Sequence, residues 1–194
     1  MRRVATSWQI IENVLKENAN TVFKALRPPA TDGAIAKINA TIPGTLPRAF
    51  VQSLQVHDGI RDSRSGLHRI FDNMAMLTIA EIIATWRMEW DMQVECEFEG
   101  CPLTRTRKLK NDIRWRAKWV PFLDCEGDKL VIDLDPGPTG KLGQVFRWYN
   151  YGSRPRQVIA DSFSHWLHQV ADELHQRRFK LDEWGGICLT KWLT

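Results

Sequence analysis

Residues 119–136 read Trp119-Val-Pro-Phe-Leu-Asp-Cys-Glu-Gly-Asp-Lys-Leu-Val-Ile-Asp-Leu-Asp-Pro136, and Gly143-Gln-Val-Phe146 follows a few residues later. Two apolar runs, 119–123 and 130–134, flank the polar loop Asp124-Cys-Glu-Gly-Asp128, which is the composition of a β-hairpin. Pro136-Gly-Pro-Thr-Gly140 supplies a second turn, and 143–149 a third strand. Consecutive strands joined by short turns predict an antiparallel meander.

Helical patterns surround it. Thr6 with Gln9 makes a capping box ahead of the stripe Trp8, Ile11, Leu15. After the break Arg27-Pro-Pro-Ala-Thr31, Thr31 can cap a second helix carrying Ile35, Ile38 and Ile42 on one face. Pro47 stands near the start of a third helix, with Phe50 and Leu54 facing inward and Gly59 as its C′ residue. Residues 67–71 read as a short strand. Thr78 and Glu81 form another capping box, before an apolar face of Ile79, Ile82, Ile83, Trp86 and Trp90. Residues 91–118 are polar, basic and weakly periodic, and read as a long loop with irregular or strand structure. Asp161 or Ser162 caps a last helix bearing Phe163, Trp166, Leu167, Val170 and Leu174. The expected fold class is α+β: one domain over residues 1–175, with an antiparallel β-sheet meander packed by helices. Residues 176–194 are expected to form a C-terminal extension that packs on the core or in an interface, so a homo-oligomer through this tail is one outcome.

The 43% hydrophobic and 26% charged content of the 194 residues is ordinary for a globular domain. Nine tryptophans are many, and their apolar contexts assign most to the core, leaving one or two for a contact surface. The net charge of +4 hides a segregation. Arg105, Arg107, Lys108, Lys110, Arg114, Arg116 and Lys118 crowd one stretch, while Asp124, Glu126, Asp128, Asp133 and Asp135 crowd the next. Such blocks either pair with each other or present two charged faces. Cys96, Cys101, Cys125 and Cys188 lack the spacing of a disulfide framework or a zinc site, so reduced thiols are expected. No signal peptide or membrane span is legible, which makes a cytoplasmic location the expectation.

Motifs for nucleotide binding, nucleophile elbows and zinc proteases are absent. His57-Asp58-Gly59 reads as a helix end, and His165 and His168 as helix residues without a spaced carboxylate ligand. The acidic loop does not follow calcium-loop spacing. It reads as a solvated turn or as an electrostatic patch for a partner; a carboxylate pair for acid–base work is a weak signal, since nearly every turn offers one. Trp115 and Trp119 among basic residues suggest phosphate and base contacts, but with so small a net charge and no recognisable module, direct nucleic-acid binding is not expected.

One set of landmarks recurs in order along the chain: Trp8 with Ile11-Glu12 and Leu15; Leu26, then Pro28-Pro-Ala-Thr31; Leu46-Pro47; Leu54 with His57-Asp58-Gly59. It continues with Trp119-Val-Pro-Phe122, Gly127-Asp128, Leu130-Val-Ile-Asp-Leu-Asp-Pro136, Gly143-Gln-Val145 and Ser162-Phe163 with Trp166-Leu167. In these residues the chain resembles the SUKH superfamily, which contains fungal cell-wall assembly regulators and many bacterial relatives. The resemblance implies an α+β fold and a non-enzymatic binding role. For bacterial members that role is immunity against a toxin, often a nuclease; for fungal members it is regulation of cell-wall synthesis and signalling. Three departures stand out: Asn39 where relatives carry an acid, the basic segment 105–118, and a tail outside the landmarks.

The expectation is therefore a protein-binding module, an immunity protein blocking a cognate toxin, with a regulatory interaction protein as the alternative. Neither a cofactor nor a metal is expected. The expected contact surface is Asp124, Glu126 and Asp128 at the hairpin tip, Asp135 at the second turn, and the aromatic pair Trp148 and Tyr149.

Overall fold

The computed structural model describes residues 3–63, 68–71, 73–95, 106–110, 113–150, 154–183 and 185–190. The meander forms the centre of a five-stranded antiparallel sheet in sequential order. Its strands are β1 (Ala75–Met76), β2 (Trp119–Cys125), β3 (Asp128–Asp133), β4 (Gln144–Trp148) and β5 (Gln157–Ala160). Glu126 and Gly127, between β2 and β3, both have positive φ (52° and 98°), as a twisted two-residue hairpin requires. β1 is too short for any alternation to register in sequence. Of the strand expected at 67–71, Leu67 lies outside the described residues and Phe71 makes only an isolated bridge with Met74.

The helices are α1 (Val4–Asn18), α2 (Asn20–Ala25), α3 (Asp32–Thr41), α4 (Arg48–Leu54), α5 (Ile79–Glu95) and α6 (Phe163–His175). Thr31 caps α3 by accepting from Ala34 N (3.2 Å), and Ser162, rather than Asp161, caps α6 by accepting from His165 N (3.2 Å). The Thr78–Glu81 box closes in both directions: Glu81 N donates to Thr78 Oγ1 (3.2 Å) and Thr78 N to Glu81 Oε2 (2.8 Å). Two expectations are corrected. α1 begins at Val4 without a side-chain cap, which places Thr6 inside the helix. α5 runs to Glu95, into the stretch expected to be loop, and Gln93 in that extension accepts from Trp115 N (2.9 Å).

Gly59 is also not the C′ residue of α4, which ends at Leu54. It lies where two chain segments touch: a Cβ there would stand 2.5 Å from Thr78 N and 2.6 Å from Leu77 C, at φ +72°. The neighbouring landmarks brace the same junction. Asp58 Oδ1 accepts from Ile79 N (2.8 Å) at the start of α5. The two ring nitrogens of His57 face Arg27 O (2.7 Å) and Glu12 Oε1 (3.0 Å), and its edge meets Trp8 at 5.0 Å between centroids. The Trp8 indole donates to Ser53 Oγ (2.8 Å). Cys96 and Cys101 lie outside the described residues, while Cys125 and Cys188 are free thiols.

Both faces of the sheet are covered. On one, Phe122 meets Phe50, Phe163 and Trp166, joining α4 and α6 to the strands. On the other, Trp115 sits edge-on to both Trp119 and Trp148 at 5.7 Å, and the Trp86 indole donates to Ala117 O (2.8 Å). Each such aromatic pair contributes about 0.5–1.5 kcal/mol beyond its area burial. The tail beyond α6 forms a hairpin of β6 (Phe179–Leu181) and β7 (Ile187–Leu189), whose Ile187 and Leu189 are buried with the core. Ile187 N donates to Arg69 O (3.2 Å).

A buried ionic group lies under the second face. Glu89 on α5 binds Lys129 Nζ through Oε1 (2.9 Å) and the Arg114 guanidinium through Oε2. Lys129 also bonds Gly127 O and stands 3.5 Å from Asp124 Oδ2. Both cations lie over the Trp148 ring, at 4.6 Å for Lys129 and 4.8 Å for Arg114. A second polar node is Asp133, fully buried, whose carboxylate accepts from Trp119 Nε1 (3.1 Å), Asp135 N (2.9 Å) and Gln144 Nε2 (2.9 Å). Burial pushes the Asp133 carboxyl above the usual carboxylate range, against the pull of those three donors.

Three outcomes are expected. Gly59→Ala should lower stability by about 1–3 kcal/mol, read as a drop in the thermal midpoint, because the residue then combines a left-handed backbone with a backbone clash. Glu89→Met leaves two buried cations without their shared carboxylate and should cost about 3–5 kcal/mol in urea unfolding; a loss below ~1 kcal/mol would remove the ionic group from the account. The raised Asp133 carboxyl binds its proton more tightly folded than unfolded. Its stabilising contribution is complete below the ordinary carboxylate pKa, about 4, and is lost as pH rises through the folded value. The penalty of Asp133→Asn should therefore be larger near pH 4 than near pH 7, measured as the difference in urea midpoints at the two pH values.

Candidate functional site

The hairpin that turns at Glu126-Gly127 projects its acids beside a cavity of about 400 Å³. The cavity lies between the β1–β2 edge and α5, with Arg69, Ala75, Leu77, Met88, Asp124 and Glu126 among its walls. Ala75, Leu77 and Met88 supply apolar lining, and Met88 leaves half of its surface in solvent. Glu126 is the most accessible acid of the tip, with 83% of its side chain exposed, and reaches Arg69 by a single contact of 3.4 Å.

The structure brings some expected residues together and separates others. Asp124, Glu126 and Asp128 share the tip, and Tyr149 is beside them because Trp148 pairs with Lys129 across β3–β4. The backbone of the tip is held from within: Asp124 Oδ1 accepts from Gly127 N (3.3 Å), and Asp128 Oδ1 accepts from Asn150 N (2.9 Å). Asp135 does not join them. It follows the far end of β3, and with a rise of about 3.3 Å per residue the seven positions from Asp128 put it some ~20 Å away. There it binds Lys110 Nζ (2.6 Å) and Arg116 (3.5 Å). The expectation for Trp148 is corrected outright. Its ring is 1% exposed, covered by Arg114 and Lys129, and its indole N–H donates to Arg114 O (3.2 Å), so it is a core residue and not a contact anchor.

The opposite charge blocks meet each other. Lys110 and Arg116 pair with Asp135, and Arg114 is drawn into the buried group with Glu89. Trp115 and Trp119 are fully buried, with Arg156 4.8 Å over the Trp119 ring, so neither offers a face to a base. Burial pushes the Cys125 thiol at the cavity wall upward, and the neighbouring acids add to this against Arg69.

Sequence reasoning missed Arg69, Met88, Glu89 and Lys129. Glu89 did leave a signal: it falls at i+3 from Trp86 and i+7 from Ile82, a carboxylate on the apolar stripe of a helix. Lys129 left none, because a lysine beside a hairpin turn is ordinarily exposed. Arg69 is brought to the cavity only by tertiary contacts, including the Ile187 bond from the tail hairpin.

Comparison with known proteins accords with this architecture. Over 93% of its length the chain is 28% identical to a glucan synthesis regulatory protein of Neurospora crassa, covering 40% of that protein. It is 26% identical to a cell wall biosynthesis/cell cycle regulator of Schizosaccharomyces pombe over 93% of the chain and 38% of that protein. With the cell wall assembly regulator of Saccharomyces cerevisiae the identity is 21% over 87% of the chain and 40% of that protein. The chain thus spans about two fifths of the length of these relatives. No helix among the described residues is long and apolar enough to cross a membrane. Residues 29–169 match the profile of one family, and a match over that much of the chain is decisive: the chain belongs to the SMI1 / KNR4 family (SUKH-1).

Proposed function

We propose that this chain is a non-enzymatic regulatory interaction module of the cell-wall-synthesis type, and that it contacts its partner protein through the hairpin tip and the adjoining cavity. The observation that carries the proposal is the geometry of that corner. A cavity of about 400 Å³, partly lined by Ala75, Leu77 and Met88, opens beside an exposed carboxylate, Glu126, on a backbone fixed by internal hydrogen bonds. A rigid charged rim around a partly apolar recess lowers the ordering penalty of association. Asp124, Asp128 and Tyr149 belong to the same surface; the separated Asp135 and the buried Trp148 do not.

The relatives support the regulatory reading over the immunity reading, since those matched across most of the chain are named as regulators of cell-wall or glucan synthesis. Nothing at the tip favours a toxin over an endogenous partner. The regulatory role is carried to this chain from those names, and the surface from its own residues.

The test is affinity capture from the native cell followed by quantitative mass spectrometry, comparing the natural chain with a Glu126→Lys, Met88→Asp variant. Both side chains are exposed, so the variant should keep its fold, checked by circular dichroism. Proteins of the cell-wall synthesis or signalling machinery should be enriched by the natural chain and fall at least about tenfold with the variant, the scale of losing a central contact. Equal recovery with both chains would overturn the surface assignment, and recovery of a secreted toxin as the dominant partner would overturn the regulatory reading.

A further inference from the structure

A second concavity, of about 650 Å³, lies on a different part of the molecule, along α4. Arg48, Ala49 and Gln52 of α4 line it, followed by Gln55 and Val56 in the turn after the helix. The opposite wall is the first turn of α1, with Arg3, Val4 and Ala5, and Ser164 of α6 closes it.

Its formal charge is of one sign. Both charged residues lining it are arginines, and no aspartate or glutamate lines it. Among the described residues, neither the Arg3 nor the Arg48 side chain forms an ion pair or hydrogen bond, nor does the Gln52 or Gln55 amide. This contrasts with Lys110, Arg114, Arg116, Lys129, Lys141 and Arg178, each held by a carboxylate of the chain itself. Ala5, Ala49, Val4 and Val56 supply its apolar lining.

We propose that this groove docks a short extended acidic segment of a partner protein. Two unpaired guanidiniums would bind its carboxylates through charge-assisted hydrogen bonds. The two glutamine amides would meet its backbone, and small apolar residues between its acids would lie on the alanine and valine lining. A free inorganic anion would leave the amides and the apolar lining unused, which favours a peptide. The groove is separate in its residues from the hairpin tip, so this inference does not rest on the tip surface.

The test is fluorescence polarisation with the full chain and a fluorescein-labelled hexapeptide alternating glutamate with valine, beside its glutamine–valine counterpart. The acidic peptide should bind, weaken with added salt, and lose affinity by about tenfold or more both in the glutamine counterpart and in the Arg3→Glu, Arg48→Glu variant. Both arginines are exposed, so the variant should retain its circular dichroism and thermal midpoint. Glu126→Lys should leave the affinity unchanged, which separates failure here from failure at the tip. The inference is overturned by any of three results. One is no binding of the acidic peptide at millimolar protein. Another is equal binding of the glutamine peptide or by the double variant. The third is displacement of the peptide by equimolar inorganic phosphate.

Discussion

The carboxylate of Glu89 is the point on which the second face of the sheet depends. It belongs to α5, yet its oxygens bind a lysine from β3 and an arginine from the segment before β2. An ionised carboxylate nearly out of reach of water is tolerable only when its charge is matched at short range, and here two cations match it. Those cations in turn are held over the Trp148 ring, and Lys129 reaches Asp124 and Gly127 at the hairpin turn. One buried charge thus fixes the register of a helix, the path of a basic segment and the orientation of the tip.

That arrangement explains why the hairpin tip carries acids that are not simply solvated. Asp124 is tied inward to Lys129, and Asp128 caps the chain at Asn150. Glu126, at the apex, keeps most of its surface in water and makes one long contact to Arg69. Inward-tied acids give the tip a fixed shape, while the outward one gives it a sign. The cavity beside it is bounded by residues from far apart in the chain, among them Arg69, which the tail hairpin holds through Ile187. The residues after α6 are in this way structurally continuous with the candidate surface, although the family match ends at residue 169.

The landmarks that carried the family resemblance turn out to be places where the backbone has little freedom. His57, Asp58 and Gly59 join α1, the 27–28 segment and the start of α5, and Gly59 has no room for a side chain. Asp133 satisfies an indole, an amide and a backbone N–H at once, and Gln144 reaches both Asp133 and Lys108 O (2.8 Å). Such residues hold the fold together, and their presence in sequence speaks for architecture more than for any partner.

Much of the architecture was legible because it is local. The hairpin at Glu126-Gly127, the caps at Thr31, Thr78 and Ser162, and the stripes of α1, α5 and α6 follow from neighbours a few residues apart. Local rules also misled where tertiary contacts prevailed: Trp148 sits beside Tyr149 and a polar stretch, yet two cations from elsewhere close over it. Whether the acidic and basic blocks faced solvent or each other was undecidable from their order alone, since pairing Asp135 with Lys110 and Arg116 requires the chain to fold back across the sheet. The sequence by itself determined the α+β class, the meander and the family. Tertiary structure alone decided which charges are buried, which acids remain exposed and where the cavities open, because long-range packing sets how far each charged group is removed from water.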